Sequence, residues 1–262
     1  MTPYIRNGLI AFDELPEIRR QAYVDCVMIR SGEDNLAGIF GTRVNEPLIR
    51  SFGFKTVPIE GIDSHIFSFG DCEGCDVIRS TLIYLQTQKC PILFSCNFFV
   101  MDRFCPSMID ALSSHTSRDV IVYQNKNQLI DCLEKKTKTS YNPVKHRQCL
   151  ELFKQIRSLE QQLEQSSLDT KQLFELKFFS SYFVDLSERI SFLKQAVNCI
   201  EYDKKRTRKT FYMMCPGGAY QNLPRDINGK NYRLVRGRTY ADATYPECFV
   251  DANLHLSYGK ED

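Results

Sequence analysis

At 262 residues, the chain is long enough for one large domain or a medium domain with an appendage. Its hydrophobic fraction of 43% and charged fraction of 25% are ordinary for a soluble globular protein. A formal net charge of +2 argues against a wholesale polyanion binder, though local basic clusters remain open.

No apolar run approaches the roughly 20 residues of a membrane span, so no transmembrane segment is expected. The first twenty residues carry acidic side chains and lack a long apolar core, which makes a poor secretory signal. Eleven cysteines is a high and odd count. Several sit inside apolar runs (Cys26, Cys96, Cys132, Cys199), as free buried thiols do in a reducing compartment. A cytoplasmic working environment is expected, delivery into a host cytosol included.

In chain order, the segment PEIRRQAY suggests a short helix with Pro16 in its first turn. The following VDCVMI has the density of a buried strand, and it breaks into SGED. Leu36, Ile39, Phe40 and Val44 fall at helical spacing; Pro47 interrupts the run, and LIRSFGF resumes it up to Gly53. KTVPI and IFSF read as short strands. A helix is predicted from Asp76 to Gln86, where Val77, Ile78, Leu82, Ile83 and Leu85 form an apolar stripe. PILFSCNFF reads as a strand, SMIDALSS as a helix, DVIVYQ as a strand and NQLIDCLEKK as a helix with lysines at its C-terminal end. This alternation over residues 22–136 implies a parallel sheet covered on both faces, with its functional edge at the strand C-termini.

The texture then changes. His146 to Gln165 and Thr170 to Ile200 read as two arms of a helical hairpin. The last residues hold close turn signals, with TFYMM, YRLV and ECFV as short strands and Asn228-Gly229 as a hairpin turn. The expected organisation is an α/β domain over 1–140, a helical hairpin over 141–203 and a β-rich appendage over 204–262.

The stretch DCVMIRSGED, from Asp25 to Asp34, resembles the opening motif of Toll/interleukin-1 receptor (TIR) domains. The helix at 76–86 with ILFSCNFF is similar to that family's second helix and third strand. Ser95-Cys96-Asn97-Phe98, then Arg103-Phe104-Cys105, is similar to its serine/asparagine–aromatic loop and aromatic-Cys pair. The likeness covers roughly residues 23–125 and implies a flavodoxin-like fold and a signalling or host-interaction role with a protein partner. It also brings NAD or another nucleotide into view as a ligand. In the NAD-cleaving members a catalytic glutamate lies three residues after the cysteine. Here Met108 holds that position and Asp110 stands two residues further on, so cleavage by the usual residue is not expected.

Two further chemistries follow from the residues themselves. Cys72 and Cys75 form a Cys-x-x-Cys at a helix start, where free N–H groups stabilise a thiolate. With His115, His146 or His255 as base, a cysteine hydrolase or deamidase is the second class of function. Glu73 and Asp76 oppose that activation. His65, Cys90 or Cys96 can be set beside the pair as zinc ligands, but a second close pair is absent and no metal site is expected. The third class is nucleotide processing by Asp25, Glu33 and Asp34 at the expected end of the first strand, with Asp110 nearby. Finally, the basic run from Lys204 to Lys209, and Arg233, Arg236 and Arg238 interleaved with Tyr232 and Tyr240, can meet nucleic acid or an anionic membrane surface. MCPGGAY lacks the Lys-Ser/Thr of a phosphate loop and reads as a turn.

Overall fold

The computed structural model describes residues 3–32, 35–41, 44–59, 64–72, 76–101, 105–202, 209–213, 232–236 and 256–257. The chain enters through a small antiparallel hairpin, β1 (Ile5–Arg6) and β2 (Leu9–Ile10). Asn7 and Gly8 turn it at φ 53° and 75°, the left-handed pair that a two-residue hairpin loop needs.

Helix α1 (Pro16–Ser31) follows, and it corrects the first expected strand. The run VDCVMI is rich in β-branched residues. Over the longer window, however, Ile18, Ala22, Cys26 and Ile29 recur every three or four residues, and all four are buried. Val24, Val27 and Met28 face solvent instead. The next expectation reverses as well: 36–44, read as a helix, supplies strand β3 (Leu36–Phe40), whose five residues are all buried.

A four-stranded sheet is built from β3, β4 (Lys55–Pro58), β5 (Phe98–Met101) and β6 (Val120–Val122). All pairs are parallel, and the order is β4-β3-β5-β6. The fold is α/β, a parallel sheet flanked by helices. The crossovers are α2 (Glu46–Ser51), then α3 (Asp76–Thr87) with α4 (Pro91–Ser95), then α5 (Pro106–His115); α6 (Lys126–Thr137) follows β6. Pro47 lies in the first turn of α2 and starts that helix, since a first-turn proline loses no hydrogen bond there. Pro91 does the same for α4, so PILFS is a helical turn and only its continuation is a strand. IFSF is a 3-10 segment (Ser64–Phe69), not a strand.

Both faces of the sheet are buried. Ala37, Ile39, Phe98 and Val100 pack with Leu48, Ile49, Leu129 and Leu133 of α2 and α6. Leu36, Phe40, Phe99 and Met101 belong to a larger core on the other face, with α1, α3, α4 and α5. Gly38 sits at the centre of β3, where a Cβ would stand 2.6 Å from Ile59, 2.7 Å from Phe99 and 2.9 Å from the Cys96 sulfur.

A helical hairpin follows. Its first arm is α7 (Pro143–Glu164); its second is divided into α8 (Thr170–Ser180) and α9 (Leu186–Asn198), where one continuous helix was expected. Asp185 causes the division by accepting from the Ser187 and Glu188 amides as an N-cap. Ile156, Leu163, Leu176, Phe179 and Leu193 join the larger core. Arg50 of α2 ties the two regions by donating to the Val184 carbonyl at 3.0 Å and to Thr56 Oγ1 at 2.8 Å.

A three-stranded sheet is described toward the C-terminus. In it β7 (Lys209–Met213) lies between β8 (Tyr232–Arg236), parallel, and β9 (Leu256–Ser257), antiparallel. The expected strand ECFV and the Asn228-Gly229 turn lie outside the described residues.

Candidate functional site

The strand order locates a site before any side chain is considered. β4 lies on one side of β3, while β5 and β6 lie on the other. The chain therefore leaves β3 and β5 in opposite directions, and the crevice between their carboxyl ends is the topological switch point of the sheet.

Three helices open onto this edge. Gly41 ends β3 at φ 131°, a conformation that L side chains rarely adopt. Asn45 then caps α2, its side chain accepting from the Leu48 amide at 3.2 Å. The Asn45 amide donates to the Tyr123 hydroxyl at 2.8 Å, which ties the loop after β3 to the end of β6. Cys105 caps α5, its sulfur accepting from the Met108 amide at 3.4 Å. Asn125 caps α6 through the Gln128 amide. The edge is thus lined by three capped helix starts, with Glu46 in the first turn of α2 and Lys126 in that of α6.

The expected site residues fall in several places. Cys72 precedes α3, half-buried against the larger core, and its thiol donates to the Arg79 carbonyl at 3.4 Å. Arg79 donates back to the Cys72 carbonyl and pairs with Asp71 at 2.6 Å. Burial pushes the Cys72 thiol up; the Arg79 charge opposes that and Asp71 adds to it. This is the reverse of an activated thiolate.

His115 ends α5, with Nδ1 at 3.0 Å from the Ala111 carbonyl. Helices α3 and α5 both run back from the carboxyl edge, and the twelve residues of α3 span about 18 Å. Cys72 at the start of α3 and His115 at the end of α5 are therefore not brought together. His65 lies edge-on to Phe69 at 5.3 Å, and His146 is buried beside Tyr141.

Asp25 is on α1, where it accepts from Gln21 at 2.9 Å, and so it is not at a strand end. Asp110 is exposed on α5. Met108, where the resembled family carries its glutamate, is fully buried. Glu33, Asp34, Cys75 and His255 lie outside the described residues, as do Lys204 and Arg238; Arg233 and Arg236 belong to β8. Gly32 and Asn35, which bracket 33–34, stand before β3, at the edge opposite the switch point.

The eight cysteines among the described residues are free thiols. The described residues contain no group of three His, Cys, Asp or Glu side chains placed to hold a metal. No helix among them is long and apolar enough to cross a membrane.

Sequence reasoning missed Gly41, Asn45 and Tyr123. The first two were hidden because β3 was read as a helix. A glycine after a short apolar run, followed by Asn-x-Pro, is the pattern that finds them. The chain matches no protein-family model, and no curated protein matches it.

Proposed function

We propose that this chain binds a nucleotide-like ligand, NAD included, in the crevice between the carboxyl ends of β3 and β5. The observation that carries the reading is the strand order, which sets a switch point where Gly41 lets the backbone approach a ligand. Helix α5 starts at that edge, and the positive end of its dipole suits a pyrophosphate. In this reading residues 1–140 are the working domain, 141–203 the helical hairpin and 204–262 a β-rich appendage. The free thiols support a reducing, cytoplasmic setting.

A calorimetric titration of the full chain with NAD and adenine nucleotides tests it, with mass spectrometry following turnover in the same samples. Saturable binding that Gly41→Val abolishes is the expected result. A flat titration in wild type contradicts the reading.

A second reading is a signalling or host-interaction module of TIR-like type. It is favoured by the exposed apolar face of α1, where Val24, Val27 and Met28 are 55%, 42% and 65% exposed. It predicts capture of a protein partner that Met28→Glu weakens. The thiolate hydrolase draws no support from Cys72, whose surroundings disfavour the charged form.

A further inference from the structure

A second cleft opens at the other edge of the sheet, where α3 and α5 end and the chain enters β6. It has a volume of about 190 Å³, and its polar lining includes Tyr84, Gln88, His115, Thr116, Ser117 and Arg118. No carboxylate lines it.

Arg118 is its centre of charge. The guanidinium donates to the Leu93 carbonyl at 2.6 Å and to the Phe94 carbonyl, closing the end of α4. Those bonds use two of its five N–H groups and leave three. Arg118 has no ion pair among the described residues, and Asp119, the next residue, is held by Lys136 at 2.6 Å. Arg30 of α1 adds a second cation, also without an ion pair among the described residues. The Arg30 and Arg118 guanidinium carbons lie 5.3 Å and 5.8 Å from the centre of the half-exposed Phe94 ring. Burial first, and then the Arg30 charge, push the Arg118 guanidinium below its ordinary value, so an anion here would relieve both.

The hydroxyls add donors. Thr116 Oγ1 accepts from the Arg118 amide at 3.1 Å, which leaves its own hydrogen to donate. Ser117 is exposed on the cleft wall. Against an anion stand the C-terminal dipoles of α3 and α5, each worth about half a charge. The last turn of α5 is closed, since Ala111 and Leu112 carbonyls take His115 Nδ1 and the Thr116 amide. The full Arg118 charge inside the cleft, reinforced by Arg30 at the Phe94 ring outside its lining, opposes those two half charges.

We propose that this cleft binds the phosphate group of a small phosphomonoester, with Arg118 as its fork and Ser117 and Thr116 as hydroxyl donors. Three guanidinium N–H groups, two hydroxyls and the Gln88 amide offer more donors than the two oxygens of a carboxylate employ, whereas a phosphate presents three. The volume lies below the roughly 300 Å³ at which pockets for whole organic ligands begin, so the ester carries a short substituent and is not a nucleotide.

The test is an amide-resolved NMR titration of the full chain with inorganic phosphate, glycerol 3-phosphate and acetate, at matched ionic strength. Expected are saturable shifts centred on Gln88, Ser117 and Arg118 with both phosphates, and none with acetate. Tighter binding of glycerol 3-phosphate identifies the ester as the ligand; equal or weaker binding overturns that part of the proposal. Arg118→Gln should weaken binding about tenfold or more, as the loss of a charge-assisted fork does. Ser117→Ala should weaken it about threefold, a typical single hydrogen bond, with the melting temperature unchanged. Because Arg118 also closes α4, Arg30→Gln serves as the second charge variant, and it should weaken binding without unfolding the chain. Shifts centred elsewhere, equal binding of acetate, or unchanged affinity in both Ser117→Ala and Arg30→Gln would overturn the site.

Discussion

The two edges of the four-stranded sheet are built from the same strands and present opposite chemistry. At the carboxyl edge, α2, α5 and α6 begin, their first amides held by Asn45, Cys105 and Asn125. At the amino edge, α3 and α5 end, and the guanidiniums of Arg30 and Arg118 close the carbonyls of α4. The first edge offers helix N-terminal dipoles with Glu46 and Lys126, of opposite sign, beside them; the second offers positive charge on side chains. Helix direction in a parallel sheet dictates the first arrangement, because every crossover helix starts where a strand ends. The second rests on individual residues. The carboxyl edge should therefore tolerate side-chain changes that preserve its backbone, and the amino edge should not tolerate loss of particular charges.

The largest expected effect strikes both edges at once. Gly38→Ala places a methyl within 3 Å of Ile59, Phe99 and Cys96, and Phe99 and Cys96 are fully buried with no room to yield. Overpacking of this kind costs about 1–3 kcal/mol, read as a lower urea midpoint at constant slope. Unchanged stability would mean that β3 does not lie between β4 and β5.

Tyr123→Phe separates the edges. It removes the acceptor of the Asn45 amide and should cost about 1 kcal/mol. It should also weaken nucleotide binding while leaving phosphate binding at Arg118 unchanged. If both ligands weaken equally, the edges are not independent.

A smaller effect depends on pH. Lys126, the first residue of α6, donates to the Tyr141 hydroxyl at 3.2 Å, and that hydroxyl lies 2.7 Å from His146 Nδ1. Burial, and then the Lys126 charge, hold His146 below its ordinary value of 6.5. The unfolded chain therefore binds the extra proton first. Stability is complete above about pH 6.5 and declines as the pH falls through that value toward the lowered native one. Denaturation from pH 7.5 to pH 5 should show this slope, and His146→Phe should flatten it. An unaltered slope in the variant would place the titrating group elsewhere.

The smallest effect is at Cys72. Its thiol is held toward the neutral form, so alkylation at pH 7 should be slow. Cys72→Ala should change stability by no more than about 0.5 kcal/mol and leave both edges intact. Rapid labelling at Cys72 would restore the thiolate to consideration.

The fold class was legible because strand-like and helix-like stretches alternate whichever way individual runs are assigned. The assignments of residues 16–44 were not. VDCVMI is dense in β-branched residues, and the helical period that overrides this shows only with Ile18 and Ala22 in the window. LAGIF is five residues long, too short for its period to tell a buried strand from a helix turn. Reading the first as the strand placed Asp25 at a strand end and the first strand about a dozen residues too early. The loop of Gly41 and Asn45 was thereby overlooked. The split between α8 and α9 was written in Asp185, an N-cap followed three residues later by Glu188, but the apolar stripe on either side masked it. Arg118 could not be found from sequence at all, since it meets Leu93 and Phe94 across 25 and 24 positions of chain.

The most direct test of the carboxyl edge as the ligand-binding edge is an amide-resolved NMR titration of the full chain with NAD. Saturable shifts confined to Gly41, Asn45, Leu48 and Met108, with Ser117 and Arg118 unmoved, are the expected result. No shift at any of these residues, or shifts only at Ser117 and Arg118, would contradict it.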